Sequence, residues 1–218
     1  MIKKINLILL VLALACFTMA ERPSNEIPMY GKEHNPTVAE NLEASRRAAE
    51  LGWKYFYKGD LDTAIKRFNQ AWMFDRNCSS AYWGFGVIMG RRAQTEGKPS
   101  YHFQESIQHL NKALELDKDN QRIMVDLAIS YSGFGFYLKE NGEEEYKNQF
   151  EKADHLFTQA KGKEPDYPVL WINWSYLKFY QEEYDMAEKY LSKAQELKFD
   201  PPADFVKDLK AAKTKKNS

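Results

Sequence analysis

The sequence has few cysteines, no excess of charge of either sign and no long apolar run after its first residues. Its 218 residues include 2 Cys, and 31 Lys and Arg balance 31 Asp and Glu. Two cysteines, Cys16 and Cys78, are too few for a disulfide framework. Balanced charge argues against a nucleic-acid-binding surface, and the lack of a later apolar run argues against a membrane span. With 13 Tyr, 13 Phe and 5 Trp, the composition predicts a packed protein rather than a disordered one.

The N-terminal segment has the pattern of a secretory signal peptide at 1–20. Two lysines precede an apolar run from Ile5 to Ala15, and small residues favour cleavage after Ala20. A second interpretation stays open, because the residues before Cys16 are similar to a bacterial lipobox, where cleavage would leave a lipidated N-terminus. We therefore expect an exported protein that is periplasmic, or an outer-membrane lipoprotein if Cys16 is lipidated.

Helical periodicity begins after a stretch that reads as a linker. Residues 21–36 are rich in Pro and have no helical period. Thr37 and Glu40 fit a capping box, which predicts a helix that starts at Thr37 and runs until Gly59. A second amphipathic segment follows at once. Two helices joined by so short a turn are expected to pack antiparallel.

This helical pattern recurs along the chain, with small residues at regular places. In the first copy, Leu51, Gly52 and Tyr55 lie on the first helix, and Ala64 and Phe68 lie on the second. These markers resemble the tetratricopeptide repeat (TPR) family, whose pattern of bulky and small residues spans two helices. Later copies match the pattern at Gly86, Ala113, Ala128, Ala153, Ala160, Ala187 and Ala194. The chain is therefore interpreted as an exported bacterial TPR protein.

The resemblance implies an all-α fold, an α-solenoid of about four helix-turn-helix repeats with a C-terminal capping helix. The TPR domain is expected at 37–200, after the signal peptide and the linker. Its repeats are predicted at about 45–78, 79–120, 121–166 and 168–200, and the capping helix and basic tail at 201–218. Repeats two and three carry extra residues between their helix markers. These residues either lengthen the helices or add a loop at one edge of the solenoid.

In TPR proteins the first helices of successive repeats line a concave groove that commonly binds ligands. Projection of the helical period onto this face predicts the groove residues Arg46, Trp53, Tyr57, Trp83, Arg91, Arg122, Ile129, Tyr176 and Phe179. Aromatic side chains combined with Arg are typical of protein and peptide recognition. The alternative is that the aromatic residues only fill a closed core.

These residues favour a non-enzymatic adaptor or scaffold in the bacterial cell envelope, which binds an unidentified protein or peptide. A glycan or small-ligand-binding module is the alternative, since aromatic faces also stack on sugar rings. The chaperone-binding TPR subclass clamps a carboxylate with Lys and Asn, but here the corresponding groove positions carry Trp53 and Val87. A carboxylate clamp is therefore not expected, and the oligomeric state stays open.

Catalytic and metal-binding patterns are sparse. No Gly-rich phosphate loop follows a strand, and no nucleophile elbow is recognisable. His102, Glu105 and His109 share one helical face, so a metal site there is conceivable, although no second motif completes it. We expect neither an enzyme nor a cofactor.

Overall fold

The computed structural model describes residues 38–216, which fold into nine α-helices. They are α1 (Leu42–Tyr57), α2 (Leu61–Phe74), α3 (Ser79–Thr95), α4 (Pro99–Leu116), α5 (Gln121–Glu140), α6 (Tyr146–Lys163), α7 (Pro168–Tyr180), α8 (Tyr184–Glu196) and α9 (Ala203–Lys216). This part of the chain contains no strand. The predicted signal peptide, the linker and Cys16 lie outside the described residues.

The helices pack as consecutive pairs. The closest partners are α1 with α2, α3 with α4, α5 with α6, and α7 with α8, while α9 packs on α8. The first helices of neighbouring pairs also contact one another, α1 with α3, α3 with α5 and α5 with α7. Such one-dimensional stacking defines a solenoid. The predicted α-solenoid of about four helix-turn-helix repeats with a C-terminal helix is therefore confirmed.

The first helix begins later than the sequence pattern predicts. Its N-cap is Asn41, whose side chain accepts a hydrogen bond from the Ala44 N–H at 2.9 Å. The Asn41 N–H donates in turn to the carbonyl of Phe74 at 3.0 Å, which joins the start of α1 to the end of α2. Thr37, the predicted cap, lies outside the described residues. Asn therefore provides the acceptor that caps the first orphan N–H groups.

The extra residues of the second and third pairs lengthen their helices. Helix α5 has 20 residues, α4 and α6 have 18 each and α3 has 17, whereas α7 and α8 have 13 each. The turns inside the first three pairs each contain a residue with positive φ: Gly59, Lys98 and Gly142. Glycine adopts this conformation readily, so the strained position in the second pair is Lys98, next to Gly97.

Close helix packing explains the small residues of the repeat pattern. Phe68 of α2 is fully buried between α1 and α3. A Cβ atom added at Gly52 would lie 2.5 Å from its ring, and one at Gly84 would lie 2.3 Å from it. Both distances are far below van der Waals contact, so these positions accept only glycine unless the Phe68 ring moves.

The fourth pair carries an ion cluster around one buried lysine. Lys178 stands where the pattern has Tyr, and its Nζ lies 2.9 Å from Asp154 and 3.2 Å from Glu183. Asp154 also accepts the indole N–H of Trp174 at 2.6 Å. The lysine therefore links α6, α7 and the turn before α8.

Candidate functional site

The first helices α1, α3 and α5 build a pocket of about 320 Å³ on their shared face. Six of the nine predicted groove residues line it: Trp53, Tyr57, Trp83, Arg91, Arg122 and Ile129. Phe56, Val87, Phe103, Asp126 and Tyr167 are among the further lining residues. The pocket therefore combines aromatic walls from three successive repeats with two arginines and one carboxylate.

Hydrogen bonds orient the two indole rings at the pocket wall. The Trp53 and Trp83 rings meet edge to face, with centroids 4.6 Å apart. Trp53 donates its indole N–H to the hydroxyl of Ser80 at 2.8 Å, and Trp83 donates to Asp126 at 2.6 Å. Each bond reaches the first helix of the next pair. The indoles are therefore positioned before any ligand arrives.

A second pocket, of about 370 Å³, is lined by the same indole pair. Trp53 and Trp83 line both pockets, and the second one also contains Arg46, the Asp75 and Asn77 turn and the start of α3. Arg46 forms an exposed ion pair with Glu50 on its own helix. The structure thus places Arg46 beside the aromatic pocket rather than in it.

The structure places the remaining two predicted residues elsewhere. The Tyr176 ring lies 4.0 Å from that of Phe205 on α9, and the Phe179 ring lies 5.6 Å from it. Phe205 is itself buried. The aromatic surface of α7 is thus largely covered by the C-terminal helix, and the groove does not extend along the whole solenoid.

Sequence reasoning missed four polar residues of the pocket, of which Asp126 and Tyr167 are ionisable and Gln94 and Ser130 are not. Burial raises the pKa of the Asp126 carboxyl to about 6, although the hydrogen bond from Trp83 acts in the opposite direction. Burial, followed by the charge of Asp126, raises the pKa of Tyr167 to about 12. The available signal was an acidic residue within the apolar sequence Met124 to Ile129 of α5. Tyr167 precedes α7 and lies outside the helical period, so the projection did not include it.

The two arginines of the pocket lie against aromatic rings. The Arg91 guanidinium is 4.6 Å from the ring centre of Phe56, and the Arg122 guanidinium is 5.5 Å from that of Tyr167. Both side chains are exposed. This arrangement stabilises the guanidinium groups on ring faces while their N–H donors can still reach a ligand.

The described residues contain no cluster of metal-ligating side chains. Between residues 38 and 216, no group of three or more His, Cys, Asp or Glu side chains could hold an ion. His109 lies 3.8 Å from Glu105, whereas His102 lies 3.7 Å from Glu96. His102, Glu105 and His109 are therefore not arranged as one site.

Between residues 38 and 216, no helix has both the length and the apolar character of a membrane span.

The middle of the chain is similar to a known receptor family. Residues 82–176 match the plant specific mitochondrial import receptor subunit TOM20. The matched region is less than half of the chain and runs from α3 into α7, so it includes Trp83, Arg91, Arg122 and Asp126 of the pocket. No curated protein matches the chain. An import receptor implies protein partners, which agrees with the expected class of partner.

This match corrects four expectations drawn from the sequence. The assignment to exported bacterial TPR proteins is wrong, because the matching family is described as plant specific and mitochondrial. The bacterial cell-envelope adaptor, the signal-peptide lipoprotein and the periplasmic or outer-membrane location are wrong for the same reason. Those interpretations rested on residues 1–20 and Cys16, which lie outside both the matched region and the described structure.

Proposed function

We propose that this chain is a non-enzymatic receptor that binds a segment of a partner protein in the aromatic pocket. One observation carries the proposal: three successive first helices present oriented indoles, exposed arginines and the Tyr57 ring, which is 79% exposed, around one concavity. Aromatic and arginine anchors in a concave site are typical of binding hot spots. The description of the matching family as a receptor subunit supports the same class of function.

The adjacent pockets favour a polymer over a compact small molecule. Because Trp53 and Trp83 line both concavities, a ligand that crosses the indole pair can fill the two in succession. A polypeptide offers consecutive side chains for such neighbouring subsites. The receptor description also favours a protein partner over the glycan alternative.

Site-specific photo-crosslinking tests the proposal on the full chain. A photoreactive amino acid replaces Tyr57, at the pocket rim, or Phe136, an exposed aromatic residue of α5 outside both pockets. We expect the probe at position 57 to crosslink a recurring segment of particular proteins, and the matched probe at position 136 not to do so. Mass spectrometry of the crosslinked peptides identifies the segment.

Competition with the free segment completes the test. A synthetic peptide of the crosslinked sequence should displace the captured protein from the wild-type chain. Equal crosslinking from positions 57 and 136, or proteins captured without any recurring segment, would contradict a binding role for the pocket.

A further inference from the structure

The pocket contains two arginines that have no acidic partner within residues 38–216. Arg46, Arg47 and Arg92 on the surrounding helices each lie within ion-pair distance of a carboxylate. The side chains of Arg91 and Arg122 form no ion pair with any described residue, and each guanidinium group lies over an aromatic ring. The pocket therefore carries two positive charges that no described carboxylate pairs with.

These two arginines come from successive repeats and line one concavity. Arg91 lies near the end of α3, and Arg122 lies at the start of α5. Contact with the rings of Phe56 and Tyr167 restricts each guanidinium group, so less side-chain entropy is lost when its N–H groups bind a ligand. Planar guanidinium groups match the geometry of a carboxylate, which they bind through two parallel hydrogen bonds.

The single carboxylate of the pocket does not neutralise them. Asp126 lies one helical turn after Arg122, yet it forms no ion pair with Arg122 or Arg91 and accepts the indole N–H of Trp83 instead. Two cationic groups therefore face at most one negative charge. The aromatic faces of Phe56 and Tyr167 already hold cations, which disfavours a cationic ligand there.

We propose that the aromatic pocket binds a carboxylate of the partner segment through Arg91 and Arg122, with a neighbouring apolar side chain against Trp53 and Trp83. This inference rests on the proposed receptor function. The carboxylate comes either from an Asp or Glu side chain or from the C-terminus of the partner. It uses arginines on α3 and α5, not the Lys and Asn arrangement of the chaperone-binding TPR subclass.

Peptides of defined charge test the ligand class on the full chain. Random phage-displayed peptides are selected on the immobilised protein, and the best binder is synthesised with its acidic residues intact, changed to Gln or changed to Lys. Each version is made with a free and with an amidated C-terminus. Fluorescence anisotropy then gives the dissociation constants, and these versions separate the two sources of the carboxylate.

Matched variants assign the effect to the two arginines. Arg91→Gln and Arg122→Gln should each weaken binding of the acidic peptide about tenfold, because each removes a charge-assisted hydrogen bond. The control combines Arg47→Gln with Lys193→Gln, two exposed residues paired on their own helices. This control removes two positive charges, as Arg91→Gln and Arg122→Gln combined in one chain also do, and should bind the acidic peptide like the wild type.

The outcomes separate this inference from the receptor function. Loss of binding on neutralisation of the peptide carboxylate and on loss of either arginine supports it. Equal binding of the acidic and neutral peptides, or tighter binding of the Lys version, overturns it and leaves the receptor function standing. Failure of every selected peptide to bind, with position-independent crosslinking in the earlier experiment, overturns both.

Discussion

The indole of Trp83 donates a hydrogen bond to the carboxylate of Asp126 across 2.6 Å, and this bond joins α3 to α5 at the wall of the pocket. It fixes the ring that faces the ligand and places an ionisable group directly behind it. Orientation and charge at the site are therefore coupled through two residues on successive repeats.

The first prediction concerns the pH dependence that Asp126 introduces. Burial raises the pKa of its carboxyl from 3.8 to about 6, so between these values the folded protein binds the proton more tightly than the unfolded chain. The contribution of this group to the free energy of unfolding therefore falls as the pH rises through that window. Asp126→Asn should be more stable than the wild type by up to about 3 kcal/mol at neutral pH. The difference in the free energy of unfolding between the variant and the wild type should vanish below pH 3.8, where the carboxyl is protonated in both states.

Urea unfolding at neutral and acidic pH measures this difference. Asp119→Asn is the opposite control, because its ion pair with Lys163 lowers the pKa of Asp119, and its substitution should not stabilise the protein at neutral pH. A destabilised Asp126→Asn protein at neutral pH would contradict the prediction. That result would mean that the charged hydrogen bond to Trp83 outweighs the cost of burying the carboxylate.

The second prediction tests close packing around Phe68. Gly84→Ala places a Cβ 2.3 Å from its ring, so the ring or the helix must shift. We expect a loss of about 1 to 3 kcal/mol in the free energy of unfolding. Gly162→Ala is the matched control, since nothing lies within 4 Å of its Cβ, and it should gain up to about 1 kcal/mol from helix propensity. Guanidinium unfolding compares the two, and similar effects would contradict the packing argument.

The helical repeat and the close packing of its helices could be predicted from the sequence, because both depend on the local spacing of residues along a helix. A glycine or alanine at a fixed helical spacing indicates a close approach, as Gly52 does against Phe68 and Gly86 does against Leu110. The same period placed Trp53, Trp83 and Arg122 on one face, and the structure brings them together in one pocket.

Helical periodicity does not predict contacts between segments that are distant in the sequence. Tyr176 and Phe179 have the period of groove residues, but Phe205 of α9 covers them, and this contact depends on how the last helix folds back. Asp126 was missed because helical periodicity indicates which face a residue occupies and not which group it contacts. The bacterial interpretation failed because it rested on the N-terminal segment alone, whereas the family match comes from residues 82–176.

The third prediction addresses the buried lysine of the fourth pair. Lys178 pairs with Asp154 and Glu183, whose carboxylates are partly exposed and can regain water if the lysine is lost. Lys178→Met keeps the apolar stem, so its free energy of unfolding should stay within about 1 kcal/mol of the wild type. Lys178→Ala also removes the packed stem and should cost about 2 to 3 kcal/mol.

Urea midpoints at low and high salt distinguish the contribution of the Lys178 ion pairs to stability from that of its apolar stem. Lys193→Met, at an exposed pair with Glu196, serves as the surface control and should change stability little. If Lys178→Met were as unstable as Lys178→Ala, the ion cluster rather than the stem would hold α6 and α7 together.

The fourth prediction separates the C-terminal helix from the binding site. Phe205 packs on Tyr176 and Phe179, so Phe205→Ala should expose their rings and cost about 2 to 4 kcal/mol. Val206→Ala, at the adjacent and only partly buried position, should cost less. Guanidinium unfolding measures both variants.

The pocket lies on α1, α3 and α5, so crosslinking from position 57 should persist in folded Phe205→Ala protein. Loss of that crosslinking while circular dichroism stays helical would mean that the covered surface of α7 belongs to the binding site.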